Sequence, residues 1–177
     1  MKKIVYYVAA SLDGFIAGPA GDVSAFKHEG ESVNAYKQDL LNFETVIMGR
    51  HTYEFGYQFG LKSGQPAYPH MKHYVFSNQL NFENPHPNVK ACPLNVGIVQ
   101  ELKQTSPSNI YLCGGGQLAG WLLENQLIDQ LKIKLNPIIL GEGIKLFGSY
   151  NPSVKLRLSE SQTFKDKSQI NDYQLVY

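Results

Sequence analysis

The chain has 177 residues, 43% hydrophobic and 18% charged, enough to bury roughly 70% of its unfolded surface without a disulfide or metal staple. Sixteen basic and fifteen acidic residues leave a net charge of +1, which excludes the basic footprint of a nucleic-acid binder and the imbalance of a disordered chain. One domain over 1–177 with no nucleic-acid partner is expected.

Taken in chain order, residues 4–10 are β-branched, aromatic and almost continuously apolar, the pattern of a strand covered on both faces. The preceding Lys2-Lys3 gives the same stretch the outline of a secretory signal, so both readings stand. Elsewhere Lys, Asp or Glu interrupts every apolar run well short of the roughly 20 residues that cross a bilayer. Cys92 and Cys113 lack the spacing of a zinc site or redox pair, and a cytoplasmic location is expected.

Asp13-Gly14, Gly18-Pro19 and Gly21-Asp22 supply turn chemistry, which predicts a long loop over 11–22. Val33, Tyr36, Leu40 and Phe43 recur at helical spacing and predict an amphipathic helix over 31–44. Short apolar runs at 45–48 and 73–76, ended by Gly49 and by Ser77-Asn78, predict two buried strands. A short helix follows over 96–103, then a strand over 110–113 closed by Gly114, Gly115 and Gly116, and a helix marked by Leu118, Trp121 and Leu122.

Beyond Asn125 the pattern changes to alternation. Leu131, Ile133 and Leu135 separate Lys132 and Lys134, as in a strand with one wet face. Val154, Leu156 and Leu158 alternate with Lys155 and Arg157, and residues 173–177 form a last strand. The fold class is therefore α/β, a mostly parallel sheet between helical layers with antiparallel strands at its C-terminal end.

In an open parallel sheet, ligands bind where the strands deliver their carboxyl ends. Gly49-Arg50-His51-Thr52 follows the second strand, Ser77-Asn78-Gln79 the third, and the glycine triplet the fourth. Guanidinium, imidazole, hydroxyls and unpaired N–H groups at helix starts all donate to phosphate oxygens. Their convergence on one sheet edge predicts a phosphorylated ligand. Gly-x-Gly-x-x-Gly is absent after the first strand, which argues against a conventional Rossmann enzyme, and Arg50 favours NADP over NAD. Tyr53, Phe55, Tyr57, Phe59 and Tyr68 suit either a stacking wall for a flat substrate or ordinary packing. His70 and His73 lack the further ligands of a metal site.

An ordered set of short motifs resembles the dihydrofolate reductase-like superfamily, in particular the C-terminal reductase domain of the bacterial bifunctional riboflavin-biosynthesis deaminase-reductase. It comprises Ala9-Ala10-Ser11-Leu12-Asp13-Gly14 with Ile16, Val46 to Glu54, Gly114-Gly115-Gly116, and Asn136 to Gly143 before Leu146-Phe147. The resemblance implies the three-layer dihydrofolate reductase-like fold, NADPH as cofactor, and often a homodimer. It implies that Ala10 and Ile16 meet the nicotinamide carboxamide and that Gly49, Arg50, His51 and Thr52 bind the adenosine and pyrophosphate phosphates. Ser77 would sit near the ribose phosphate, Gly115 and Gly116 against the pyrophosphate and nicotinamide ribose with Gly114 in the same cofactor-binding turn, and Gln117 and Leu118 at the start of the supporting helix.

In dihydrofolate reductases a carboxylate on the helix before the Gly-Arg motif helps protonate the pterin, whereas Val33 and Asn34 occupy that stretch here. The candidate proton donors are Glu31, Asp39, Asp13 and water admitted by the first loop. Three functions follow as expectations: an NADPH-dependent reductase of a small heterocycle, resembling 5-amino-6-(5-phosphoribosylamino)uracil reductase of riboflavin biosynthesis; a pteridine reductase; or an NADP-binding regulatory dimer with little catalysis.

Overall fold

A computed structural model describes residues 1–150 and 153–177 of the chain. The apolar opening segment is strand β1 (Ile4–Ser11), in the middle of the sheet, with Ile4, Tyr6 and Tyr7 at 0% exposure. β2 (Phe15–Ala17) follows, then α1 (Glu31–Leu40), β3 (Thr45–Gly49), α2 (Arg50–Phe55), β4 (Lys72–Phe76) and β5 (Val89–Cys92). α3 (Val96–Thr105), β6 (Ile110–Gly114), α4 (Gly116–Glu124), β7 (Gln130–Asn136), β8 (Ile144–Lys145), β9 (Lys155–Thr163) and β10 (Gln169–Val176) complete the order.

Among the described residues, eight strands form one sheet in the order β5-β4-β3-β6-β1-β7-β10-β9, and β2 pairs separately with β8. Strands β5 through β7 run parallel. The antiparallel portion starts one strand later than the alternation suggests: β7 is parallel to β1, and β10 is the first strand to reverse. One face packs β1, β6 and β3 against α3 and α4 through Tyr6, Ile47, Leu112, Val99 and Leu122. The other face packs Val5, Tyr7, Val46 and Tyr111 against α1 and the segment running from Tyr53 to Phe82. These are the three expected layers.

Several local expectations shift. α1 ends at Leu40, and 41–43 continue as tight turns in which Phe43 N–H reaches the Leu40 carbonyl, so Phe43 stays in the core outside the helix. α3 begins at the Asn95 cap, whose Oδ1 accepts from Gly97 N (2.8 Å) and Ile98 N (3.3 Å), leaving fewer unpaired donors in the first turn. β5 and the β2–β8 pair escaped sequence reading because four residues or fewer cannot display a period. On β7 the alternation is real but the wet face is not wet. Lys134 is only 5% exposed, and its Nζ donates to the Lys27 carbonyl at 3.0 Å, while Lys132 pairs with Asp39 at 2.6 Å.

α4 is set close to the segment after β8. A Cβ on Gly116 would lie 2.2 Å from the Lys145 carbonyl oxygen, and one on Gly120 would lie 2.5 Å from that of Phe147. Alanine is otherwise the better helix former by about 1 kcal/mol. We expect Gly120→Ala to lower stability by about 1–3 kcal/mol through overpacking, read as a fall in the thermal midpoint. An unchanged or raised midpoint would show that α4 has room to shift.

Candidate active site

Register aligns the three donor-rich turns. Gly49 at the end of β3 pairs with Phe76, which precedes Ser77, and Met48 pairs with Gly114. The turns headed by Gly49, Ser77 and Gly114 therefore lie side by side. Arg50 spans two of them: its Nη1 donates to Gln79 Oε1 at 3.3 Å, its Nη2 lies 3.3 Å from His51 Nε2, and its Nε lies 3.6 Å from Glu54. Ser77 Oγ accepts from Gln79 N and Leu80 N at 3.1 Å each, and its own proton is free to be donated. Neither α2 nor α4 has a side-chain cap at its start, so first-turn N–H groups point towards this edge.

The glycines are shaped by what they must approach. Gly114 adopts φ +133°, which L side chains rarely reach, and a Cβ on Gly115 would lie 3.0 Å from Thr52 Oγ1. Gly49 faces Leu118 and Gly115, while Leu118 is buried and Gln117 and His51 are exposed. Leu118 thus supports the turn from below.

On the other side of β6 the sheet splits. β1 pairs with β6 only through Tyr6 and Leu112, yet continues with β7 as far as Ser11 and Asn136. A bulge at the end of β6 sets Ile47 opposite Leu112 and Met48 opposite Gly114, leaving Cys113 unmatched. From Tyr7 onward the β6-facing backbone of β1 has no strand partner among the described residues, at the point where strand order changes direction, which is where open α/β sheets place a ligand crevice. Ala10 lines this stretch, and its carbonyl oxygen lies 3.4 Å from Asn136 Nδ2. Ile16 on β2 is half-buried; β2 is tied to β8, and Leu146 N donates to the Gly14 carbonyl.

The three carboxylates considered as proton donors are all engaged elsewhere. Asp13 accepts from Ser11 Oγ (2.6 Å), Gly141 N (2.7 Å) and Leu140 N (3.1 Å), and the Ser11 hydroxyl together with those N–H groups holds its carboxyl down to about 2. It remains ionised at neutral pH and ties the first loop to the loop after β7. Asp39 accepts from Lys132 Nζ at 2.6 Å and Tyr7 OH at 3.0 Å, three residues before Ala10 on β1 and so roughly 10 Å below the strand end. Glu31 pairs with Lys165 at 3.2 Å on the surface.

The aromatic residues divide instead of forming one wall. Tyr53 is 1% exposed and donates to the Gln65 carbonyl at 2.7 Å, and Phe55 packs edge-on against the exposed Phe59. Tyr68 joins a different group, one the sequence reading missed: the hydroxyls of Tyr36 and Tyr111 meet, and Tyr68 OH lies 3.6 Å from Cys113 Sγ. Tyr111 and Cys113, two apart on a predicted strand, were the available signal, since such residues share a face; the two walls come from distant segments.

Two concavities flank the sheet, the first reaching Gln117 in the opening turn of α4. One of about 400 Å³ sits between α4 and Phe147–Tyr150, and one of about 260 Å³ between α1 and the β9–β10 ribbon.

The sequence profile of the RibD C-terminal domain family matches residues 2–170. The chain belongs to that family. It is 33% identical over 177 residues to the uncharacterized protein YwjB of Bacillus subtilis, covering 96% of this chain and 97% of that one. Among solved structures, a putative riboflavin biosynthesis protein from Shewanella sp. PV-4 superposes with a TM-score of 0.79 at 24% identity, covering all of both chains. The diaminohydroxyphosphoribosylaminopyrimidine deaminase/5-amino-6-(5-phosphoribosylamino)uracil reductase of Thermotoga maritima gives 0.72 at 17% identity, with 99% of this chain against 57% of that longer one. The fold is dihydrofolate reductase-like, with antiparallel C-terminal strands. No helix among the described residues is long and apolar enough to cross a membrane.

His73, on β4, anchors the segment that precedes that strand. It is 1% exposed, its Nδ1 lies 3.0 Å from the Met71 carbonyl, and its Nε2 accepts from Tyr68 N at 3.0 Å, which places the proton on Nδ1. Burial drives its pKa from the ordinary 6.5 to about 4. A depressed pKa means that the folded state prefers the neutral ring. Its contribution is complete above about 6.5 and is lost as pH falls from there towards about 4. Chemical denaturation across that window should show declining stability, and NMR should find the His73 ring neutral at pH 5.5; titration near 6.5 would contradict it.

Proposed function

We propose that the chain is an NADPH-dependent oxidoreductase acting on a small flat heterocycle, with a phosphoribosylamino-uracil of the kind named for the Thermotoga relative as the leading substrate and a pteridine as the second. The observation that carries this reading is the alignment of the Gly49, Ser77 and Gly114 turns beside a split sheet. The residues fit the cofactor: an arginine and a histidine at one helix start, a free hydroxyl on the adjacent turn, and glycines where a Cβ would obstruct close approach.

Arg50, His51 and Ser77 would hold the adenosine-ribose phosphate, and the N–H groups of Gly115, Gly116 and Gln117 the pyrophosphate. Thr52, packed beneath Gly114 and Gly115, fixes the height of that ledge. Ala10 on β1 and Ile16 on β2 would orient the carboxamide end through backbone groups. NADPH supplies the hydride when bound; the protein contributes orientation and exclusion of water. Asp13 keeps the first loop and the 137–143 loop together over this end of the cleft.

Loss of one charge-assisted contact costs roughly 1.5–3 kcal/mol, so Arg50→Ala should weaken NADPH binding by on the order of tenfold or more and NADH far less. Calorimetry with both cofactors measures this, and equal losses would mean that Arg50 does not read the extra phosphate. Failure of the unaltered protein to bind NADPH or NADP+ would overturn the functional reading.

A homodimer belongs to the same proposal. On the face opposite α1, Leu131, Tyr173 and Leu158 stand side by side across β7, β10 and β9, with Leu175 beside Leu156; Leu156 and Leu158 are 46% and 54% exposed. An apolar sheet face of this kind suits a second copy of itself. Light scattering should give a mass near twice 19.8 kDa, and Leu158→Glu should return the monomer. A monomeric unaltered protein would remove this part.

A further inference from the structure

The group of hydroxyls around the end of β6 has no role in the cofactor site. Tyr36 comes from α1, Tyr68 from the segment before β4, and Tyr111 and Cys113 from β6. The Tyr36 and Tyr111 hydroxyls are within hydrogen-bond distance of each other, and Tyr68 OH lies 3.6 Å from Cys113 Sγ. Tyr68 packs edge-on against Tyr111 at 5.7 Å and stacks on His73 at 6.0 Å, while Tyr36 meets Tyr7 edge-on at 4.7 Å. Tyr111 is fully buried, whereas Tyr36, Tyr68 and Cys113 keep partial exposure.

The position of this group is set by the fork in the sheet. β1 leaves β6 after the Tyr6–Leu112 pair, and Cys113 is the bulged residue at that point. Bulges beside a cleft re-aim a side chain. Tyr36 from α1 and Tyr68 from the segment before β4 both reach Tyr111 there, and the Gly114–Gly115 ledge follows immediately in the chain.

Their chemistry is that of neutral donors. Burial pushes all three phenols above their ordinary value and raises the Cys113 thiol as well, so each carries its proton at neutral pH. The candidate carboxylates Asp13, Asp39 and Glu31 are committed to other partners. A carboxylate favours a ring that is protonated and cationic before hydride arrives. Neutral phenols instead match negative charge that develops on oxygen or nitrogen during reduction.

We propose, on the basis of the reductase reading above, that Tyr36 and Tyr68, linked through Tyr111 and Cys113, form the polar end of the substrate pocket and protonate a neutral carbonyl or imine as its carbon is reduced. In the balanced step, hydride from the dinucleotide forms the new C–H bond while the C=O or C=N π bond breaks onto its heteroatom. The Tyr68 or Tyr36 hydroxyl transfers its proton to that heteroatom, and solvent restores the proton through the Cys113 end. Net, the substrate gains two hydrogens and NADPH becomes NADP+.

The test uses the full chain with a panel containing a 6-aminouracil derivative, the phosphoribosylamino-uracil and a dihydropterin. Tyr36→Phe/Tyr68→Phe should bind NADPH within about twofold of the unaltered protein by calorimetry yet lose about 100-fold or more in kcat, as for removal of a general acid. Its residual rate should lose the solvent deuterium isotope effect. Independently of turnover, iodoacetamide labelling of Cys113, located by mass spectrometry, should slow at least about fivefold when a panel heterocycle binds the NADP+ complex. Near-normal turnover in the double variant, or labelling indifferent to a bound heterocycle, would overturn this proposal and leave the cofactor reading intact. Cofactor binding without binding or turnover of any panel member would overturn both the substrate reading and this one, and absence of cofactor binding would overturn the whole.

Discussion

Backbone hydrogen bonding between β3 and its neighbours holds Gly49 level with Phe76 and Met48 level with Gly114, and this register is the constraint on which the remaining arrangement rests. A slip by one residue would carry alternate side chains to the opposite face of a sheet that is covered on both. Ile47 and Leu112 would then leave one core, and Val46 and Tyr111 the other. Burial thus pins the strands, and pinned strands align the three turns. The same register ends β1–β6 pairing at Tyr6 and Leu112, so the fork in the sheet is a consequence of how the core is filled.

Close packing at α4 completes the edge. Gly116 and Gly120 admit β8 and the chain after it into close contact with α4, and β8 in turn pairs with β2. Asp13 performs a related task through three hydrogen bonds. The polar groups of the edge then separate by charge. Arg50 and His51 gather beside the Ser77 turn, whereas neutral hydroxyls and a thiol gather at the fork on the α1 face. A ligand that spans both would present its anionic part to the first group and its uncharged reacting part to the second.

Much of this was legible from local chemistry. The near-continuous apolarity of Ile4 to Ala10, the glycine after each of two strands and the change to alternation beyond Asn125 reflect local rules that tertiary context seldom reverses. The fate of individual charged residues was not legible. Lys134 reads as solvent-facing by alternation, but the segment around Lys27 folds over it and supplies a carbonyl. Asp39 and Glu31 lie on the predicted helix as expected, yet what each touches depends on β7 and on the β9–β10 ribbon, more than ninety residues away.

By itself, the sequence determined the order of the longer elements, the parallel core and the presence of phosphate-binding residue types at strand ends, because these follow from periodicity and turn chemistry within a few residues. Only the tertiary structure decided that β7 runs parallel to β1, that Cys113 is bulged at a fork, and that Tyr36, Tyr68 and Tyr111 converge there. Such features arise where segments far apart in the chain compete for the same buried space, and no local pattern records the outcome of that competition.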